Sequence, residues 1–230
     1  PLSSTPPSWM NGKFCTSESP KRLVNSCPWC SSKLQKSWGK PLRSFRTVEC
    51  TNCGLLYITN PLSHEAQSEY YDHYPTLVHQ QPDSERSPLI HGKSTLANRK
   101  LMYAQEANLI HENFLDFVSL SRQPKILDVG CAGGQFLDEF LERGYETFGI
   151  DIAKSRVNTA HHILIGEFTS YNFDFQPDLI TFRGVLEHVP DPISFLDKAV
   201  ALANNHTVIS ICSTPNSASV CSRVFKDKWT

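Results

Sequence analysis

The stretch Lys125 to Gly134, KILDVGCAGG, constrains the fold more than any other part of this chain. A short apolar run, Ile126-Leu127, leads into Asp128. Gly130, Ala132, Gly133 and Gly134 follow, and then Phe136, Leu137, Phe140 and Leu141 recur at helical spacing. The pattern reads as a buried strand, a tight glycine turn and a helix start. Glycine accepts the backbone conformations of such a turn and leaves its N–H groups open to a ligand.

Strand and helix alternate from there on. A helix over Phe136 to Arg143 closes at Gly144, a residue type suited to a helix C-terminus. Thr147 to Ile150 reads as a second strand ending at Asp151, and Lys154 to His161 as a helix. Ile163 to Ile165 reads as a third strand ending at Gly166-Glu167. A fourth, Leu179 to Phe182, ends in Arg183-Gly184-Val185-Leu186-Glu187-His188. Asp191 then caps a helix with Pro192 at its first position and Ile193, Leu196, Val200 and Ala203 on its apolar face. Thr207 to Cys212 is the fifth strand. Ahead of the series, Lys93 to Val118 reads as a helix with Tyr103, Ala107, Ile110, Phe114 and Phe117 on one face. Five such units imply an α/β fold: a doubly wound, mainly parallel sheet covered on both sides, with ligands at the carboxyl ends of its strands.

The N-terminal part is of another kind. Cys27-Pro-Trp-Cys30 and Cys50-Thr-Asn-Cys53 are separated by 19 residues, within the spacing of a structural zinc ribbon. Each knuckle aims two thiolates at one point. Two disulfides or a redox dithiol are the alternatives; the first needs an oxidising compartment, and the second occurs once, at a helix start. Lys33 to Val48 has room for a hairpin with Trp38-Gly39-Lys40-Pro41 as its turn, and Leu55 to Ile58 leaves it as a strand. The organisation expected is a mobile leader over 1–22, the ribbon over 23–60, a linker with a short helix (Ser63 to Tyr74) over 61–92, and the α/β domain over 93–230. Pro75, Pro82 and Pro88 disfavour any element in 75–92. Cys15 reads as an exposed thiol, and His64, His73, His79 and His91 as surface histidines.

A net charge of −1 over 230 residues gives the whole chain no nucleic-acid footprint. Residues 21–50, however, hold seven basic residues against Glu49 alone, which leaves an anionic or nucleic-acid contact open for the ribbon. No apolar run reaches bilayer length, so a cytoplasmic protein without a membrane partner is expected. The chain opens at Pro1 and stops at Thr230, soon after the fifth strand, as expected of a fragment.

A dinucleotide site would show G-x-G-x-x-G. Here the glycines are differently spaced, and Asp128 stands two residues before the first. A fixed carboxylate there is a poor neighbour for a pyrophosphate and suits an amine or sulfonium. Asp151, 21 residues beyond Gly130, suits two ribose hydroxyls in either case.

ILDVGCAGGQFL, FGIDIA, DLITFRGVLEHVPDP and VISICSTPN resemble the successive motifs of class I S-adenosylmethionine-dependent methyltransferases. The Cys pairs, CGLLYITNP and SEYYDHY resemble the subgroup with an N-terminal zinc ribbon. The resemblance implies a Rossmann-like sheet, S-adenosylmethionine and a structural Zn²⁺ on Cys27, Cys30, Cys50 and Cys53. Asp128 and the loop of Gly130, Ala132, Gly133 and Gly134 would hold the methionine moiety. Asp151 would hold the ribose hydroxyls, with Ile152 also contacting the cofactor, and Glu167 and Phe168 would border the adenine. Arg183, Gly184 and Val185 would line the site near the sulfur. His188, oriented by Glu187, would be a general base for transfer to an O, N or C nucleophile of a small molecule or glycan; the alternative is that this pair caps the loop before Pro190-Asp191-Pro192. Ala132 replaces a usual glycine, Asn204-Asn205-His206 replaces a Gly-Gly turn, and the last two antiparallel strands of the family sheet are absent. A catalytically silent scaffold docking through the basic ribbon, or a nicotinamide-dependent reductase, are the rival functions.

Overall fold

A computed structural model describes residues 8–11, 14–41, 44–79, 96–118, 121–153 and 160–225. Part of the segment read as a leader is ordered: β1 (Met10–Asn11) pairs antiparallel with β2 (Phe14–Cys15). No periodicity announces it because side-chain-to-backbone bonds hold it. Thr16 Oγ1 donates to the Trp9 carbonyl at 2.8 Å, and Lys21 Nζ donates to the carbonyls of Thr16, Ser17 and Ser19. Cys15 is half-buried in β2 rather than exposed.

Three antiparallel strands follow: β3 (Gln35–Ser37), β4 (Thr47–Cys50) and β5 (Leu56–Ile58), in the order β3-β4-β5. Cys27, Val48, Cys50 and Tyr57 form their small core. Helix α1 (His64–His79) starts directly after the ribbon and continues through Pro75, against the expectation that the proline region begins there. A proline inside a helix removes one N–H donor, which here does not stop the helix. The Ser63 N–H donates to the Pro20 carbonyl at 3.0 Å, and Lys21 bridges Leu62, so hairpin, ribbon and α1 are tied together.

Helix α2 (Leu96–Phe117) leads to the main sheet. Its strands are β6 (Lys125–Val129), β7 (Glu146–Asp151), β8 (His162–Ile165), β9 (Leu179–Arg183) and β10 (Val208–Cys212). Helices α3 (Leu137–Glu142) and α4 (Pro192–Leu202) cover it, and α5 (Val220–Phe225) closes the series. The spatial order is β10-β9-β6-β7-β8, all parallel, so the direction of winding reverses at β6. The loop after β6 is therefore the switch point where such sheets bind ligands. The expected helix over 154–161 falls largely outside the described residues.

Alternation along β6 divides the core. Ile126 packs with Ala107, Ile110 and Phe114 of α2 and with Phe140, while Leu127 and Val129 pack with Phe182, Phe195 and Ala199 on the other face. Two expected faces are corrected. On α2, Phe117 is 77% exposed and Val118, four residues beyond Phe114, takes the buried place. On α4, Phe195 and Ala199 face the sheet and Val200 is 64% exposed. The Asp191 cap, which accepts from the Ser194 N–H, fixes where this helix begins, and Phe195 then meets Phe168 at 5.6 Å between ring centroids. At α3, Gly144 adopts φ +83° and its N–H donates to the Leu141 carbonyl, ending the helix as expected. Among the described residues no helix is long and apolar enough to cross a membrane.

The sheet is fastened at its amino end by Asp178. Its carboxylate, 2% exposed, accepts from Arg122 Nη1 and Nη2 at 2.7 and 2.8 Å and from the Lys125 N–H at 2.8 Å. Asp178→Ala leaves that N–H without its carboxylate and is expected to lower stability by about 2–4 kcal/mol, read by urea unfolding.

Candidate cofactor site and active centre

The turn after β6 is left-handed at three places: Gly130 (φ +71°), Ala132 (φ +50°) and Gly134 (φ +80°). A Cβ at Gly130 would lie 2.6 Å from Val185 Cγ2, and one at Gly134 would lie 2.5 Å from His161 Cδ2. These two glycines thus serve conformation and close packing together. His161 is a buried wedge, bonded to Thr147 Oγ1 at 2.9 Å and to Asp138 Oδ1 at 3.0 Å. Ala132 pays the strain of a left-handed alanine, on the order of 1 kcal/mol. Asp151 supports it: Oδ2 accepts the Ala132 N–H at 2.8 Å and Oδ1 accepts the Ala153 N–H at 2.8 Å.

Beside this turn lies a cavity of about 690 Å³. Of the residues expected from sequence, Gly130, Asp151, Ile152, Glu167 and Phe168 line it from the ends of β6, β7 and β8. Gly184, Val185 and His188 line it from the loop after β9. Ala132, Gly133, Gly134 and Glu187 shape its surroundings without lining it. Glu187 Oε1 stands 3.9 Å from His188 Nε2, a loose pair at the surface.

Two expected contacts are placed elsewhere. Asp128 is buried at 3% exposure, behind the turn, where Thr181 Oγ1 donates to its Oδ1 at 2.6 Å. Burial pushes its carboxyl up to about 7, opposed by the Thr181 bond and by the nearby Arg183 charge. Arg183 does not line the cavity. As the last residue of β9 it alternates onto the α2 side of the sheet, where its Nε donates to Glu106 Oε2 at 2.5 Å.

Sequence reasoning missed the roof. His64, Gln67, Tyr70 and Tyr71 of α1 line the same cavity. Gln67 Nε2 donates to the His188 carbonyl at 2.6 Å, and Tyr71 meets the His188 ring edge-on at 6.4 Å. The signal was present: positions 64, 67 and 71 share one helical face.

In the ribbon, Cys27 and Cys53 Sγ are 3.6 Å apart, Cys30 and Cys50 Sγ likewise, and all four lie within 4.8 Å of one another. A disulfide would need about 2.05 Å. Four sulfurs around a zinc at about 2.3 Å would stand about 3.8 Å apart, so the set has tetrahedral dimensions. The Asn52 amide, helped by the Ser32 backbone, pulls the Cys30 thiol down to about 6.

Residues 99–229 match a family model described as a methyltransferase domain, and the chain belongs to that family, the class I S-adenosylmethionine-dependent methyltransferases. Among curated proteins, it is 37% identical over 91 residues to a ubiquinone biosynthesis O-methyltransferase of Idiomarina loihiensis, across 34% of this chain and 37% of that one. It is 30% identical over 110 residues to the protein of the same name from Stutzerimonas stutzeri, across 42% and 47%. The matches thus span less than half of these relatives' length. A solved structure of the plantazolicin methyltransferase BpumL in complex with SAH is similar at 15% identity and a TM-score of 0.49, across 66% of this chain and 62% of that one.

Asp128 offers a test of the site's electrostatics. A carboxyl whose folded value is raised adds stability that is complete below the unfolded value, near 4, and is lost as pH rises through about 7. Asp128→Asn keeps an acceptor for Thr181 and removes the buried charge. It is expected to raise stability by about 2–4 kcal/mol above pH 7 and to change little at pH 4, read by denaturant titration at both pH values.

Proposed function

We propose that this chain binds S-adenosylmethionine in the cavity beside the Gly130 turn and transfers its methyl group to a nucleophile of a small molecule or glycan. The observation that carries the reading is Asp151, whose carboxylate borders the cavity next to a backbone that carries no side chain at Gly130. Each Asp151 oxygen already accepts one N–H and retains capacity for a second donor, which fits a pair of ribose hydroxyls. Ile152 and Phe168 supply apolar walls for an adenine, and Glu167 an acceptor for its amino group. Gly184 and Val185 border the sulfur, and Asp128 acts from behind the turn through its charge. The two curated relatives, both O-methyltransferases by name, favour an oxygen acceptor.

Bound there, the cofactor supplies a methyl group on a cationic sulfonium, open to in-line displacement. The chain must align the acceptor, keep water out and remove its proton. α1 covers the cavity and carries the Gln67 bond to His188. A neutral His188 imidazole takes the proton of an acceptor hydroxyl, and Glu187 steadies the imidazolium that results. Cys27, Cys30, Cys50 and Cys53 would hold a structural Zn²⁺ that joins the two knuckles.

Calorimetry on the full chain tests both sites. Asp151→Ala is expected to weaken S-adenosylmethionine binding tenfold or more, roughly the loss of one or two charge-assisted hydrogen bonds, and unchanged affinity would contradict the reading. His188→Ala should leave that affinity within about twofold and slow transfer to a hydroxyl acceptor by roughly 10²-fold or more. Mass spectrometry under native conditions should find one zinc per chain, lost in Cys53→Ser.

A further inference from the structure

Arg183 is bound into a junction that the sequence did not announce. Glu106, on α2, uses both carboxylate oxygens: Oε2 accepts from Arg183 Nε at 2.5 Å, and Oε1 accepts from Ser213 Oγ at 2.7 Å. Arg183 ends β9, and Ser213 is the first residue after β10, held left-handed at φ +59°. One side chain therefore ties α2 to the carboxyl ends of two strands. The Arg183 guanidinium lies 4.5 Å from the centroid of the Tyr103 ring and 5.4 Å from that of Phe136, which follows the glycine turn. The next residue, Gly184, is itself left-handed at φ +62°, donates its N–H to the Cys212 carbonyl at 3.0 Å, and forms cavity wall together with Val185.

The junction also sets a charge balance. Around the one guanidinium stand Glu106 from α2 and, behind the turn, Asp128 from β6, with Asp151 from β7 beyond. Cys212 of β10 faces the same group of charges as a neutral thiol, because burial pushes it up to about 11. Glu106 takes the direct contact with the cation. Glu106 thus offsets the guanidinium directly, and Asp151, with the part of its charge that the raised Asp128 keeps, leaves this side of the glycine turn with an excess of negative charge.

We propose that Glu106 is a positioning residue for the cofactor: by anchoring Arg183 and Ser213 it fixes the Gly184–Val185 wall, and by engaging the guanidinium it leaves that wall's surroundings net negative, as a sulfonium requires. The inference rests on the cofactor reading above and adds to it a residue outside the methyltransferase motifs. It separates two effects. Loss of the anchor loosens the wall for any adenosyl ligand, whereas loss of the charge penalises the cationic sulfonium more than the neutral thioether.

The test is the ratio of dissociation constants for S-adenosylmethionine and S-adenosylhomocysteine, measured by calorimetry on the full wild-type chain, Glu106→Gln and Arg183→Met. Glu106→Gln is expected to weaken S-adenosylmethionine roughly tenfold and S-adenosylhomocysteine about two- to threefold, the difference being one unit charge acting through the wall in a partly screened site. Arg183→Met, which removes the cation, shifts the ratio the other way. Ratios that stay at the wild-type value in both variants, or move in the same direction, overturn the proposal. If Arg183→Met fails to fold, Arg183→Lys keeps the charge: both ligands should weaken with the ratio unchanged, and a changed ratio counts against the proposal. Wild type that binds neither ligand defeats the cofactor reading itself.

Discussion

The Asp151 carboxylate is the interaction on which the site depends. A turn with left-handed backbone at three of five residues is unfavourable on its own, and one of the three is an alanine. Asp151 reaches back from the end of β7 to the Ala132 N–H and forward to the Ala153 N–H. It thereby fixes the exits of β6 and β7 against each other at the point where the sheet reverses direction. The two glycines that flank Ala132 permit what Asp151 stabilises. Gly130 lets Val185 close in, and Gly134 lets the His161 ring sit underneath.

Electrostatics follows from the same geometry. Asp128 is raised towards neutrality by burial, and the fold sustains it with one hydroxyl and one nearby guanidinium. A buried acid of this kind lowers stability at neutral pH, so packing does not account for it. Its place, one strand residue before the turn, accounts for it if a cation is to lie on the far side. The Glu106–Arg183–Ser213 junction belongs to the same balance, and it links the site to α2 as well as to the strands.

Much of this was legible in the sequence, and the reasons for the failures are physical. Parallel strands buried on both faces appear as apolar runs, so β6, β7, β8, β9 and β10 were each located within a residue or so. The strand-end residues Gly130, Asp151 and Glu167 border one cavity because groups at carboxyl ends recur at strand boundaries, and the four cysteines meet because each Cys-x-x-Cys turn aims two thiols at one point. Side-chain direction was less legible. The place of Arg183 in a motif implies a position near the cofactor, but alternation along β9 sends it to the opposite face, towards Glu106. The faces of α2 and α4 were misjudged by one step at Phe117 and Val200, where a register of three or four residues cannot be told apart without the neighbouring layer. The β1–β2 hairpin has no period to read, since serine, threonine and lysine bonds to backbone hold it. The face of α1 that forms the roof is visible in the spacing of His64, Gln67 and Tyr71, but what that face meets is set by a contact spanning 121 residues, between Gln67 and His188, which no local pattern encodes.

The most direct measurement is the electron density of S-adenosylhomocysteine bound to this chain. The account predicts ribose hydroxyls on the Asp151 carboxylate, adenine between Ile152 and Phe168, the thioether sulfur beside Gly184 and Val185, and a glycine turn unmoved from the arrangement described. Ligand density away from Asp151, or a turn that must rearrange so that Ala132 leaves its left-handed conformation, would contradict it.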